Sequence, residues 1–139
     1  MGYATLEDIE ELYGFDLLVR VADPNKTGAP DPELVAKGLQ GADDIINAYL
    51  SAQYTVPVSP VPGMIRSAAV DIAVYRLALK RSIRTDEMRQ RYEDALAILD
   101  KISKGQIGLG LAPSDTNGDG TIENPNIQRK GRSINAVRA

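Results

Sequence analysis

The residues best suited to chemistry lie near the C-terminal end. Asp115-Thr116-Asn117-Gly118-Asp119-Gly120-Thr121-Ile122-Glu123 matches the first nine positions of an EF-hand-type calcium loop. Asp115, Asn117, Asp119 and Glu123 supply oxygen donors at alternating positions. Thr121 would offer its carbonyl, and Gly120 would make the turn. Hard oxygen donors at that spacing suit Ca²⁺. The pattern stops short of a full loop, since position 12 is Asn126 rather than a bidentate Glu, and Pro113 and Pro125 flank it. The alternative is a loop whose Asp, Asn and Gly residues satisfy one another's backbone. A weak Ca²⁺ site is the one cofactor this sequence suggests. Asp23, Asn25, Thr27 and Gly28 echo the spacing more faintly, with Pro30 where a β-type residue belongs.

Other candidates are fewer still. Asp71 interrupts an apolar run, and a buried carboxylate is usually paired. Arg66, Arg76 or an arginine from another element is its expected partner. Arg76, Lys80, Arg81, Arg84, Arg89 and Arg91 crowd one turn, where a protein or phosphate contact competes with simple solvation. Gly105-x-x-Gly108-x-Gly110 lacks the Lys-Ser or Lys-Thr of a phosphate loop and reads as a hinge.

Whole-chain composition narrows the field. The 139 residues contain no Cys, His or Trp. That removes disulfides, thiolate nucleophiles, Ser-His-Asp triads and the usual transition-metal sites. With one Phe and six Tyr, a base-stacking surface has little material. No enzyme is expected. The net charge of −3 is unevenly spread, with −7 over residues 1–44 and +4 over the rest. Such a chain can pack head to tail, acidic part against a neighbour's basic part, with Asp43 and Asp44 set against Arg81, Arg84 and Arg89. Solvated helix faces are the alternative. No apolar run is long enough to span a bilayer, and the first residues lack a secretion signal, so synthesis in a cytoplasm is expected.

The elements that must position these groups are helices. Thr5 caps the first, whose stripe is Ile9, Leu12 and Tyr13, and Gly14 stops it. Phe15 to Val21 reads as a second short helix. Asp31 and Pro32 open a third, with Val35, Leu39, Ala42, Ile46, Tyr49 and Gln53 stepping by three and four over about six turns. Gly38 and Gly41 inside it fit close approach by another helix. The segment TVPVSPVP at 55–62 predicts a stiff extended connector. Residues 63–82 are apolar nearly all round and predict a central helix. Thr85 caps the last helix, whose seam is Met88, Tyr92, Ala95, Leu99 and Ile102, ending at Gly105. Ile107, Leu109 and Leu111 then alternate with small residues, readable as a strand. The fold class is all-α: a small bundle of four to five helices over 1–105 with an extended arm over 106–139.

Four stretches carry a family likeness: YATLEDI at 3–9, ADDIINAYLSAQY at 42–54, DIAVYRL at 71–77 and RYEDAL at 91–96, continuing to Gly105. Their order resembles the Mu-like phage head–tail connector (adaptor) family over about residues 3–110, leaving the region after 112 outside. The resemblance implies a homo-oligomeric ring of about twelve copies under the portal protein. It implies a place in the virion neck, a channel through which DNA passes without sequence-specific binding, and a downstream neck or tail-completion partner. It also implies that the arm reaches the portal, through Ile107, Leu109, Leu111, Ile122, Ile127, Arg129, Lys130 and Arg132. Two other readings stand beside it: a calcium-dependent binding module on 115–123, and a small helical DNA-binding regulator on the arginine cluster.

Overall fold

A computed structural model describes residues 2–111. The calcium-type loop at 115–123 and Ile122, Ile127, Arg129, Lys130 and Arg132 lie outside the described residues. Five α-helices follow in chain order: α1 (Leu6–Tyr13), α2 (Phe15–Ala22), α3 (Pro32–Leu50), α4 (Gly63–Arg81) and α5 (Asp86–Ser103). The described residues form a small all-α bundle. None of their helices is long and apolar enough to cross a membrane.

Helix ends follow their capping chemistry. Thr5 and Asp8 form a reciprocal capping box at α1. Asp31 accepts from Glu33 N–H, with Pro32 in the first turn of α3. Thr85 accepts from Met88 N–H at the start of α5. Gly14, at φ 91°, turns the chain sharply between α1 and α2.

α4 is the central element. Ile65, Ala69, Val70, Ile72, Ala73, Val74 and Ala78 have no solvent exposure, and α4 touches all four other helices. α3 packs along it through Val35, Leu39, Ala42, Ile46 and Leu50, and α5 through Met88, Ala95, Leu99 and Ile102. Gly38 is what lets α3 and α4 close: a Cβ there would sit 3.0 Å from Leu77 Cγ. Tyr75 and Tyr92 stack across the α4–α5 seam, ring centroids 4.0 Å apart and planes 7° from parallel.

Three local expectations change. α3 stops at Leu50, because the chain turns there to bury Tyr54 and to send the Gln53 amide to the Ser103 carbonyl. The proline segment does not stand free as an extended connector. Val58 is buried and its N–H donates to the Tyr3 hydroxyl, and Pro57 and Pro60 follow cis peptide bonds. Residues 107–111 form no strand. Their alternation survives, with Ile107, Leu109 and Leu111 half-buried against the core and Gly108 and Gly110 exposed. The Leu109 N–H is taken by the Tyr54 hydroxyl instead of a ladder partner.

Candidate assembly surfaces

The polar groups that look most like chemistry turn out to join helices. The partner of Asp71 is the Tyr13 hydroxyl, which reaches across from α1 and donates at 2.7 Å. Arg91, on α5, lies over the Tyr13 ring at 4.9 Å and bonds Glu87 at 2.9 Å. Arg66 and Arg76 do not fill that role. Burial pushes the Asp71 carboxyl above the usual carboxylate range, against the opposing pull of the Tyr13 bond and the Arg91 charge. Burial, reinforced by the bond to Asp71, also pushes the Tyr13 hydroxyl upward. Three helices therefore meet at one half-buried polar contact.

Asp23 is the one buried charged residue among those described. Its carboxylate accepts from Thr27 N–H at 2.9 Å, Gly28 N–H at 2.8 Å and the Thr27 hydroxyl at 3.0 Å. Those bonds, the Thr27 backbone bond first, hold its pKa low. Its oxygens are spent on closing the loop between α2 and α3, so the fainter echo of calcium spacing is an Asx-type loop. No group of three or more acidic residues that could hold a metal occurs among the described residues.

The residues expected to face a neighbour are also engaged within the chain. Asp43 accepts from Tyr3 N–H at 3.1 Å, and burial raises its pKa. Asp44 accepts from the Gln40 amide at 3.0 Å. Arg81 donates to the Arg20 carbonyl, Arg84 donates to the Tyr75 hydroxyl, and Arg89 pairs with Asp86 at 3.3 Å. The arginine cluster is thus not one patch: Arg91 belongs to the Tyr13 contact, Arg84 to the tyrosine stack, and Arg76 lies over Gly41 on α3. Ile107, Leu109 and Leu111 rest on the helical core.

Two features escaped sequence reasoning. Leu12, on the apolar stripe of the first helix, is 47% exposed, and with Phe15 at 45% it projects from the α1–α2 corner. A cleft of about 330 Å³ opens between α3 and α4 beside Leu34, Lys37 and Lys80. The corner could have been suspected, because Gly14 breaks the helix between the two side chains and removes the continuous face that would bury both.

Comparison with known proteins adds the context. A family model described as "Bacteriophage Mu, Gp36" matches residues 3–124. That match runs past residue 110 and takes in Asp115–Glu123. The chain is similar to the Mu-like prophage FluMu protein gp36 of Haemophilus influenzae (strain ATCC 51907 / DSM 11121 / KW20 / Rd). The two are 32% identical over 124 residues, covering 89% of this chain and 84% of the relative. It is also similar to Gene product J of Escherichia phage Mu, at 26% identity over 114 residues, covering 80% and 78%.

Proposed function

The chain belongs to the bacteriophage Mu Gp36 family, and from that premise we propose that it is a structural virion protein, the connector between head and tail. In this reading copies form a ring of about twelve beneath the portal protein. The ring extends the DNA channel in the virion neck and offers a platform to a neck or tail-completion protein. The protein is not an enzyme. Its acidic N-terminal part suits a channel wall, because phosphate is repelled and DNA does not stick in passage. The C-terminal arm, from Ile107, Leu109 and Leu111 onward to Ile122, Ile127, Arg129, Lys130 and Arg132, serves as the portal contact. Asp115, Asn117, Asp119, Thr121 and Glu123 remain the candidates for a weak Ca²⁺ site on that arm.

The observation carrying the reading is the family match along residues 3–124. The bundle is compatible with it, since its two most enclosed carboxylates, Asp71 and Asp23, are bonded to Tyr13 and to Thr27 within the chain. The test is negative-stain imaging of the full-length protein mixed with purified portal protein. Rings seated on the portal are expected. An absence of rings together with an absence of portal binding overturns the proposal.

A further inference from the structure

Two surfaces of this chain are each partly apolar and carry opposite charge. The first is the α1–α2 corner. Leu12 and Phe15 project there, flanked by the exposed Glu10, Glu11 and Asp16. The second is the α3–α4 cleft. Leu34, Leu77 and Leu79 give it an apolar lining, with Gly38 beside them, and Lys37, Arg76 and Lys80 surround it. Its volume, about 330 Å³, suits one or two side chains rather than a large ligand. Gly38 brings α3 close to Leu77 at the edge of the cleft.

The large exposed hydrophobics among the described residues are Leu12, Phe15, Met64 and Leu79, and three of these four fall in the two patches. Their charges are idle as well. Salt bridges among the described residues join Arg66 to Asp8, Arg89 to Asp86, Arg91 to Glu87 and Lys104 to Asp100. Glu10, Glu11, Asp16, Lys37, Arg76 and Lys80 take part in none of them.

A single copy cannot join these surfaces. The corner is fixed to α4 through the Tyr13–Asp71 bond. Lys80, at the cleft, is nine residues further along α4. At about 100° per residue that places it about half a turn around the helix from Asp71. The corner and the cleft therefore lie on opposite sides of α4.

We infer that the Leu12–Phe15 corner of one copy seats in the Leu34–Leu77–Leu79 cleft of a second copy. The acidic flank meets the basic rim, in a head-to-tail contact that repeats from copy to copy. This deepens the assembly role proposed above and rests on it. The occupant is a second copy because the chain itself carries both the fitting side chains and the opposite charge.

Sedimentation velocity on the full-length protein tests it with two double variants. Leu12→Ser/Phe15→Ser removes the corner. Lys37→Glu/Lys80→Glu reverses the rim. All four positions are exposed, and circular dichroism checks that both variants fold. Wild type should self-associate, more weakly as salt rises. Each variant alone should associate about tenfold more weakly or worse. Mixed one to one, they should form a dimer that does not grow, since each retains the surface the other lost.

A mixture that stays monomeric, or either variant assembling like wild type, overturns the inference. Rings that still form on the portal in that case leave the connector reading standing on another face. The mixed dimer, together with a wild type that neither forms rings nor binds portal, supports the inference and removes the connector reading. A wild type that is monomeric at every concentration, with Lys37→Glu/Lys80→Glu speeding proteolysis within 112–139, assigns the cleft to the chain's own C-terminal segment and overturns the inference.

Discussion

α3 and α1 both lean on α4, by opposite means. α3 lays Val35, Leu39, Ala42, Ile46 and Leu50 against it, with Gly38 allowing close approach. α1 buries only Ile9 within its helical span. Leu6 and Tyr13 pack only partly against the core, and polar contacts supplement them: Tyr13 to Asp71, and Asp8 to Arg66 at 3.9 Å. Apolar burial of about 1.5–3 kcal/mol per large side chain is indifferent to pH and nearly so to salt. A hydrogen bond contributes about 0.5–1.5 kcal/mol net and an exposed ion pair about 0–1. The α3–α4 seam is therefore the fixed frame. α1 is an attachment whose strength solution conditions can set, and local opening should begin there.

The sharpest way to break the contrast is to remove a side chain from the frame. Ile72→Ala should cost about 2–5 kcal/mol in urea unfolding, since Ile72 has no exposure and the surrounding helices cannot fully close the void. A loss under 1 kcal/mol would mean that α4 is not the organising element.

Tyr13→Phe tests the polar attachment. It leaves the half-buried Asp71 carboxylate without its donor, at a cost of about 1–3 kcal/mol. Hydrogen exchange should speed in α1 while α3 amides keep their protection. Uniform loss of protection would show that α1 and α3 open together.

The two glycines of α3 sharpen the description of the frame. Gly38→Ala drives a Cβ to 3.0 Å from Leu77 Cγ and 3.1 Å from its Cδ2, so the buried Leu77 side chain must shift as a whole. Overpacking of about 1–3 kcal/mol should outweigh the ~1 kcal/mol gain in helix propensity. Gly41→Ala meets the Arg76 guanidinium first, at 2.7 Å, on an exposed side chain that can swing away. It should stabilise, by up to ~1 kcal/mol. Thermal melts of the pair should move in opposite directions.

The smallest effect is a pH dependence. The folded Asp71 carboxyl holds its proton above the ordinary value of 3.8. Its contribution to stability is thus full below that value and declines as pH rises through the folded pKa, levelling off beyond it. Asp71→Asn should remove this decline, seen as the difference between wild-type and variant unfolding curves from acid to neutral pH. A difference that instead grows in favour of wild type on raising the pH would mean that the ionised carboxylate is the stabilised form.

Local chemistry made the bundle legible. Thr5, Gly14, Asp31, Pro32 and Thr85 each set a helix end through groups within a few residues, and the all-round apolar run of α4 identified the centre. Non-local contacts were not legible. Tyr13 is 58 residues from Asp71, and no spacing rule links an aromatic in a short amphipathic helix to a carboxylate in a buried one. The alternation of Ile107, Leu109 and Leu111 read as a strand of an outlying arm, whereas the three side chains pack against the helical core without a ladder. Period two reports which side is buried, while the backbone partner, here the Tyr54 hydroxyl, depends on the tertiary fold. The exposed corner at Leu12 and Phe15 was hidden for a related reason, since an apolar stripe does not say whether its partner lies in the same chain.

The stacked Tyr75 and Tyr92 rings give the chain an optical use. The protein has no tryptophan, so its near-ultraviolet dichroism comes from six tyrosines and one phenylalanine. Two of those tyrosines face each other at 4.0 Å across the α4–α5 seam, and their transitions couple strongly at that range. The molecule carries a built-in, label-free gauge of whether α5 sits on α4. Any binding event that shifts α5 changes the tyrosine band while leaving the helical signal in the far ultraviolet as it was.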